Sequence, residues 1–166
     1  MKKMIALVAA LMVCAGMAFA ADPVEDYWIS WDEKTDKATG GWLIYEENNL
    51  LYGKMVSAAG EKPDCKAYGC KGVKPIKGFP VAGKPEEMML LGTPWIYGLK
   101  KDKTGSWSGG TVVDPGDGKA YKCKITYHAA SGNSPAWLEM RGEIGLGIGR
   151  SQHWRHATEA EATSVK

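Results

Sequence analysis

The side chains that could do chemistry in this sequence are few and scattered. There are three histidines (His128, His153, His156), four cysteines (Cys14, Cys65, Cys70, Cys123), an acidic pair at Asp114 and Asp117, and a glycine run, GEIGLGIGR, ending on Arg150. His153 and His156 on one strand would face opposite sides, which makes a poor metal pair. Cys65 and Cys70 lack zinc-knuckle spacing and no CxxCH is present for covalent haem, so the residues call for no metal and no cofactor. The glycine run lacks the order of a dinucleotide loop, and no helical pattern follows it. Its alternating Gly145, Gly147 and Gly149 suit a sharply bending strand or a close backbone approach. No G-x-S-x-G elbow is present. Cys123 falls on an apolar strand face, where a buried inert thiol is expected rather than a nucleophile. Asp and Gly have reasons of their own to occupy turns, so the acid–base reading of Asp114 and Asp117 has a structural competitor. The expectation is a protein that is not an enzyme.

The elements that must position these residues begin after residue 20. Lys2 and Lys3 precede an apolar, uncharged run from Met4 to Met17, and Ala18-Phe19-Ala20 places small residues where a signal peptidase reads. Residues 1–20 are therefore expected to be a cleavable bacterial signal peptide, giving a periplasmic or secreted protein. The run is short of the roughly 20 residues that span a bilayer comfortably, so no stable membrane anchor is expected after cleavage. Removal of Lys2 and Lys3 leaves 19 basic against 19 acidic side chains. No Lys/Arg block of the kind that tracks phosphates remains, so nucleic acid is not an expected partner. In an oxidising compartment Cys65 and Cys70 could close a short loop across CKAYGC, leaving Cys123 odd.

Residues 21–156 read as one domain of short alternating segments bounded by Gly, Pro, Asn and Asp. Strands are expected at 27–31, 42–45, 50–56, 95–100, 106–113, 119–128, 137–144 and 150–156. The segment 119–128 alternates most clearly, with Tyr121, Cys123, Ile125 and Tyr127 on one face and lysines and Thr126 on the other. Residues 58–92 form a long Lys-, Gly- and Pro-rich connection, with a short helix possible over 85–92 between Pro and Gly. The tail, 157–166, is polar and expected to fray. About eight sequential strands predict an all-β, antiparallel closed barrel, with a β-sandwich as competitor. Seven tryptophans spread over nearly every strand fit core packing, an apolar ligand cavity, or both.

The stretch Trp107-Ser108-Gly109-Gly110-Thr111-Val112-Val113-Asp114-Pro115-Gly116-Asp117-Gly118-Lys119-Ala120-Tyr121 resembles the central signature of a bacterial family catalogued as domain of unknown function 2147, W-x-G-G-x-[IV]-x-[DN]-P-x-[DN]-G-K-x-Y. Arg141-Gly142, then Gly149-Arg150-Ser151-Gln152-His153-Trp154, is similar to its closing R-G … G-R-[ST]-Q-x-W. Tyr52 to Val56 and Trp28 resemble its second hairpin strand and opening tryptophan. The likeness covers about residues 26–156. It implies an exported, lipocalin-like barrel with suspected ligand binding and no established catalytic residues. Departures are the Cys- and Lys-rich 64–75 segment, Asp26 where a Gly would complete the lipocalin G-x-W, and Arg155 directly after Trp154. In such barrels a late basic residue packs over the first-strand tryptophan, which implies Trp28 with Arg155 or His156.

The leading expectation is thus an exported, lipocalin-like protein holding a small apolar or amphipathic molecule. Its cavity would be lined by Tyr121, Ile125, Tyr127, Leu138 and Met140. The alternatives are an envelope structural or interaction protein with a filled barrel that uses the 58–92 loop, and, behind both, an enzyme built on the Asp114–Tyr121 turn and Arg150.

Overall fold

The computed structural model describes residues 21–166; the expected signal segment lies outside the described residues. Eight strands follow one another: β1 (Asp26–Asp32), β2 (Lys37–Glu47), β3 (Leu50–Ala58), β4 (Ile96–Lys103), β5 (Ser106–Val113), β6 (Ala120–His128), β7 (Trp137–Gly145) and β8 (Ile148–Ala157). Each is antiparallel to the next, and β8 returns to pair with β1, so the sheet closes into the expected eight-stranded barrel. Closure removes both sheet edges, and the period-two pattern then sorts each strand into an inward and an outward row. Register aligns the inward rows. Tyr127 lies opposite Leu138, Ile125 opposite Met140 and Cys123 opposite Gly142, while Leu138, Met140 and Gly142 lie opposite Trp154, Gln152 and Arg150.

Because strands alternate in direction, the connections divide between two ends. The β1–β2, β5–β6 and β7–β8 turns and the long β3–β4 connection share one end. The N-terminal segment and the β2–β3, β4–β5 and β6–β7 connections share the other. That second end is plugged. The Asp22 carboxylate accepts from the N–H groups of Val24 and Gly105 and meets Lys101 Nζ at 2.9 Å. Trp28 Nε1 donates to the Val24 carbonyl at 3.0 Å. Trp28, Trp107, Ile125 and Leu138 are fully buried above this plug. Burial alone would raise the Asp22 carboxyl, but Lys101 and the two backbone N–H groups outweigh it and hold it below the ordinary carboxylate range.

Several local expectations are corrected. β2 begins at Lys37, five residues before the expected Trp42, because Lys37–Gly41 pair with β1 despite their polar and small side chains. Residues 85–92 form only a one-turn 3-10 segment, Pro85–Glu87, and a second such turn covers Tyr68–Cys70. The glycine run is not one bending strand. It is the β7–β8 hairpin, turning at Leu146 and Gly147, both with positive φ. The close approach holds at Gly149, where an added Cβ would lie 2.5 Å from the Gly142 carbonyl oxygen.

The tail does not fray. Thr158 and Glu161 form a reciprocal capping box that starts α1 (Glu159–Ala162). Ala162 is buried, and its carbonyl accepts from Ser57 Oγ. An added Cβ at Gly41 would lie 1.7 Å from that carbonyl oxygen, so the tail docks on β2 only because residue 41 is glycine.

The Cys65–Cys70 bridge is absent: Cys65, Cys70 and Cys123 are free thiols. The 3-10 turn buries Cys70 and brings its Sγ within 3.4 Å of the Pro115 carbonyl, whereas Cys65 stays near the surface beside Leu90, whose N–H it accepts.

Candidate functional site

The end opposite the plug opens on a cavity of about 430 Å³. Its apolar wall comes from Trp42 on β2, Val112 and Val113 at the end of β5, Tyr121 at the start of β6, and Met140 and Ile144 on β7. Ile148 on β8 and Pro115 in the β5–β6 turn complete it, with Asp114, Gly142, Gly149, Arg150 and Gln152 also on the lining.

The floor is a pair of tryptophans. Trp42 stacks on the fully buried Trp154 with ring centroids 4.9 Å apart, and Trp42 Nε1 donates to Ser30 Oγ at 3.2 Å. Trp154 Nε1 donates to Gln152 Oε1 at 2.9 Å. An indole nitrogen can only donate, so the Gln152 atom facing it must be the oxygen, and the Gln152 amide N–H groups are left for the cavity. Arg150 stands one inward position nearer the mouth. Among the described residues it is engaged in none of the seven salt bridges. Its guanidinium offers five donors and a fixed charge. The cavity therefore combines aromatic and aliphatic walls with donors grouped on β8.

Space for this arrangement comes from glycine. Gly142 lies opposite Arg150 in the β7–β8 ladder. A Cβ there would touch Tyr121 and Val112 at ordinary contact distances of 3.5 and 3.6 Å, so anything larger would enter the cavity.

The two aspartates of the neighbouring turn are occupied. Asp114 Oδ1 accepts from the Gly116 N–H at 2.8 Å. Asp117 accepts from the Lys119 N–H and pairs with Lys119 Nζ at 2.7 Å, and Lys119 accordingly holds its carboxyl below the ordinary value. Gly118 sits at φ +71°, which a branched residue would resist.

Of the five residues expected to line the cavity, Tyr121 and Met140 do so. Ile125 and Leu138 are instead fully buried in the packed half below the floor. Tyr127 is at the opposite end, in a depression lined also by Asp22, Glu25, Asp26, Pro135 and His156. Trp42, Val112, Val113, Ile144 and Ile148 were not anticipated as lining. Alternation in WLIY, and isoleucines at both feet of the GLG turn, were the available signals.

The two candidates for packing over the first-strand tryptophan separate. His156 meets the Trp28 ring edge-on at 5.2 Å and bonds Asp26 at 2.7 Å, while Arg155 lies 3.8 Å over Trp31. His153 is on the outer wall, stacked on Trp137 with His128 on the other face. Burial there lowers the His153 imidazole from its ordinary value.

Residues 27–156 match the family described as an uncharacterized protein conserved in bacteria, DUF2147. The chain belongs to this family. A solved structure, protein HP1028 from the human pathogen Helicobacter pylori, described as belonging to the lipocalin family, superposes with a TM-score of 0.62. It is 16% identical, with 82% of this chain and 84% of that chain covered, a likeness of fold. No curated protein matches the chain. In this DUF2147 barrel the signature residues divide by place. Asp114, Pro115, Tyr121, Gly142, Gly149, Arg150 and Gln152 line the cavity, and Trp154 lies beneath it. Asp117, Gly118 and Lys119 shape the adjoining turn. Gly110 lets the β4 backbone approach, since a Cβ there would lie 2.5 Å from the Tyr97 carbonyl oxygen. Trp28 and Trp107 fill the plugged half.

Proposed function

We propose that this lipocalin-like protein is an exported binding protein whose open half holds one small amphipathic molecule. The observation that carries the reading is the pairing of apolar walls with an Arg150 guanidinium that, among the described residues, is in no ion pair, and a Gln152 amide oriented by Trp154. The apolar part of the ligand would lie on Trp42, Val112 and Met140. An acceptor-rich head, such as a carboxylate, would meet Arg150 and Gln152. A cavity of about 430 Å³ is within the range that small-molecule sites occupy, roughly 300–1,000 Å³. Binding is favoured over catalysis because Asp114 and Asp117, the acid–base candidates, have their carboxylates engaged in the turn. Location in the periplasm or outside the cell is part of the proposal and rests on the sequence of residues 1–20.

Native mass spectrometry of the protein recovered from the periplasm, with its N-terminus read by mass, tests both parts. The expected result is a chain starting at Ala21 that carries a small adduct, and a fatty-acid-like fluorescent probe that binds and is displaced by the extracted molecule. A chain that carries nothing and shifts no probe would end the ligand reading. An unprocessed cytoplasmic chain would end the export reading. The alternative, an envelope interaction protein, is favoured by the packed half and the long β3–β4 connection. It predicts partners lost on deletion of that connection, with no probe binding.

A further inference from the structure

Three large apolar side chains crown the open end, largely exposed. Ile144, Leu146 and Ile148, on the β7–β8 hairpin, are 71%, 101% and 61% exposed. Leu146 occupies a turn position at φ +51°, where Asn or Gly would sit without strain. Folding gains nothing from an exposed leucine there. Ile144 and Ile148 also line the cavity, so the apolar surface runs continuously from the interior to the hairpin tip.

The other side of the mouth is basic. Lys66, Lys71, Lys74, Lys77 and Lys84 lie between residues 66 and 84 with no acidic residue among them, and all five are exposed. Their exposure follows from a three-residue period. Val73, Ile76 and Phe79 turn inward to pack on the core, which leaves Lys71, Lys74 and Lys77 outward. The segment is anchored at the mouth. Val73 packs where a Gly118 side chain would be, and Gly69 abuts Gly116, both in the β5–β6 turn beside cavity-lining Asp114 and Pro115. Phe79 fixes its far end on Trp95 and Tyr97. Among the described residues only Lys84 of the five is in a salt bridge, a loose 3.9 Å contact with Glu86.

An apolar tip and a lysine row around one opening are complementary to an anionic bilayer, whose headgroups attract the lysines and whose acyl boundary accepts the tip. We infer that the open end docks on an anionic lipid surface, with the β7–β8 hairpin inserted and the 66–84 lysines against the headgroups. This depends on the ligand reading only for its purpose, which would be direct passage of an amphipathic molecule between bilayer and cavity.

The test is co-sedimentation of the processed protein with vesicles of phosphatidylcholine alone or with phosphatidylglycerol added. Wild type is expected to bind the phosphatidylglycerol vesicles, less so at high salt. Leu146→Asn suits the positive φ and lines no part of the cavity, so it keeps the fold and probe affinity while weakening vesicle binding about tenfold or more. Lys71, Lys74 and Lys77 changed together to Gln should weaken it by on the order of 100-fold, at roughly 1 kcal/mol each. Wild type that ignores phosphatidylglycerol, or binding that neither variant alters, would overturn the inference. So would a dimer in sedimentation equilibrium that Leu146→Asn dissolves without any vesicle binding, which would make the tip a contact between copies. Vesicle binding without probe binding would keep the docking and remove the ligand.

Discussion

The two halves of this barrel are built from the same strands yet solve opposite problems. At the plugged end, inward positions carry Trp28, Trp107, Ile125 and Leu138, and a buried Asp22, paired with the exposed Lys101, ties the N-terminal segment across the opening. At the open end the same inward rows continue into Met140, Gly142 and Tyr121 on one side and Gln152 and Arg150 on the other. A few residues along a strand, large apolar side chains give way to glycine and to donors. Close packing and open space are thereby separated along the barrel axis, so most of the core can be kept rigid while the mouth varies.

Truncation should expose that difference first. Trp28→Ala at the plugged end should cost about 3–5 kcal/mol in denaturant unfolding, as for a large side chain removed from a close-packed site. Met140→Ala, whose side chain already faces space, should cost less than half as much. Equal losses would show that the open end is packed in solution too. The converse change is Gly142→Val, which fills the cavity from a strand position that β-branched residues favour. It should leave unfolding within about 0.5 kcal/mol and abolish probe binding. Arg150→Ala should likewise spare the fold but weaken a carboxylate-headed probe by about 1.5–3 kcal/mol, the worth of a hydrogen bond to a charged group. Loss of the fold with either variant would move that residue into the stabilising half.

A smaller contrast is in acid. Asp22 has its carboxyl held below the unfolded value, so its contribution to stability is complete above the unfolded carboxylate range, near pH 4, and is lost as pH falls through the folded value. Unfolding midpoints of wild type should therefore drop below about pH 4. Asp22→Asn should be less stable at neutral pH and flatter in acid. An unchanged acid slope would mean that the plug carries no linked proton. The smallest effect concerns thiols. Burial pushes the Cys123 thiol up to about 12, and Cys70 is also buried and raised. Native-state alkylation at neutral pH should mark Cys65 first, with Cys123 modified only on unfolding. Rapid labelling of Cys123 would place a breach in the wall between the halves.

Much of the wall was legible in the sequence and the cavity was not, for a geometric reason. Alternation gives the face of a strand but not the depth along it. Tyr121, Ile125 and Tyr127 share the inward row of β6, yet at about 3.3 Å per residue they span some 20 Å. One accordingly lines the mouth, one the core and one the far end. Depth is set by register with neighbouring strands, as where β2 extends back to Lys37 through pairing with β1. The signature residues carried the site better because a glycine opposite an arginine records a space as well as a face. Two further signals are present in the sequence. Thr158 and Glu161 at capping-box spacing marked a helix in what reads as a polar tail. Gly145-Leu146-Gly147 marked a turn rather than a bend. Cys65 and Cys70 show the reverse case, a spacing that permits a bridge while local backbone geometry turns the two thiols to different neighbours.

The seam between β1 and β8 sets an order of events. Tyr27 to Ser30 pair with Trp154 to Ala157, joining segments more than a hundred residues apart, and α1 clasps the outside of the same region through Ala162. Hairpins along the meander can form from near neighbours, but this one ladder must wait for the whole chain, with the largest loop-closure cost in the sheet. A chain emerging from its amino end therefore carries two open edges until β8 arrives. Until the final strand docks, those two edges remain open to pairing with other chains.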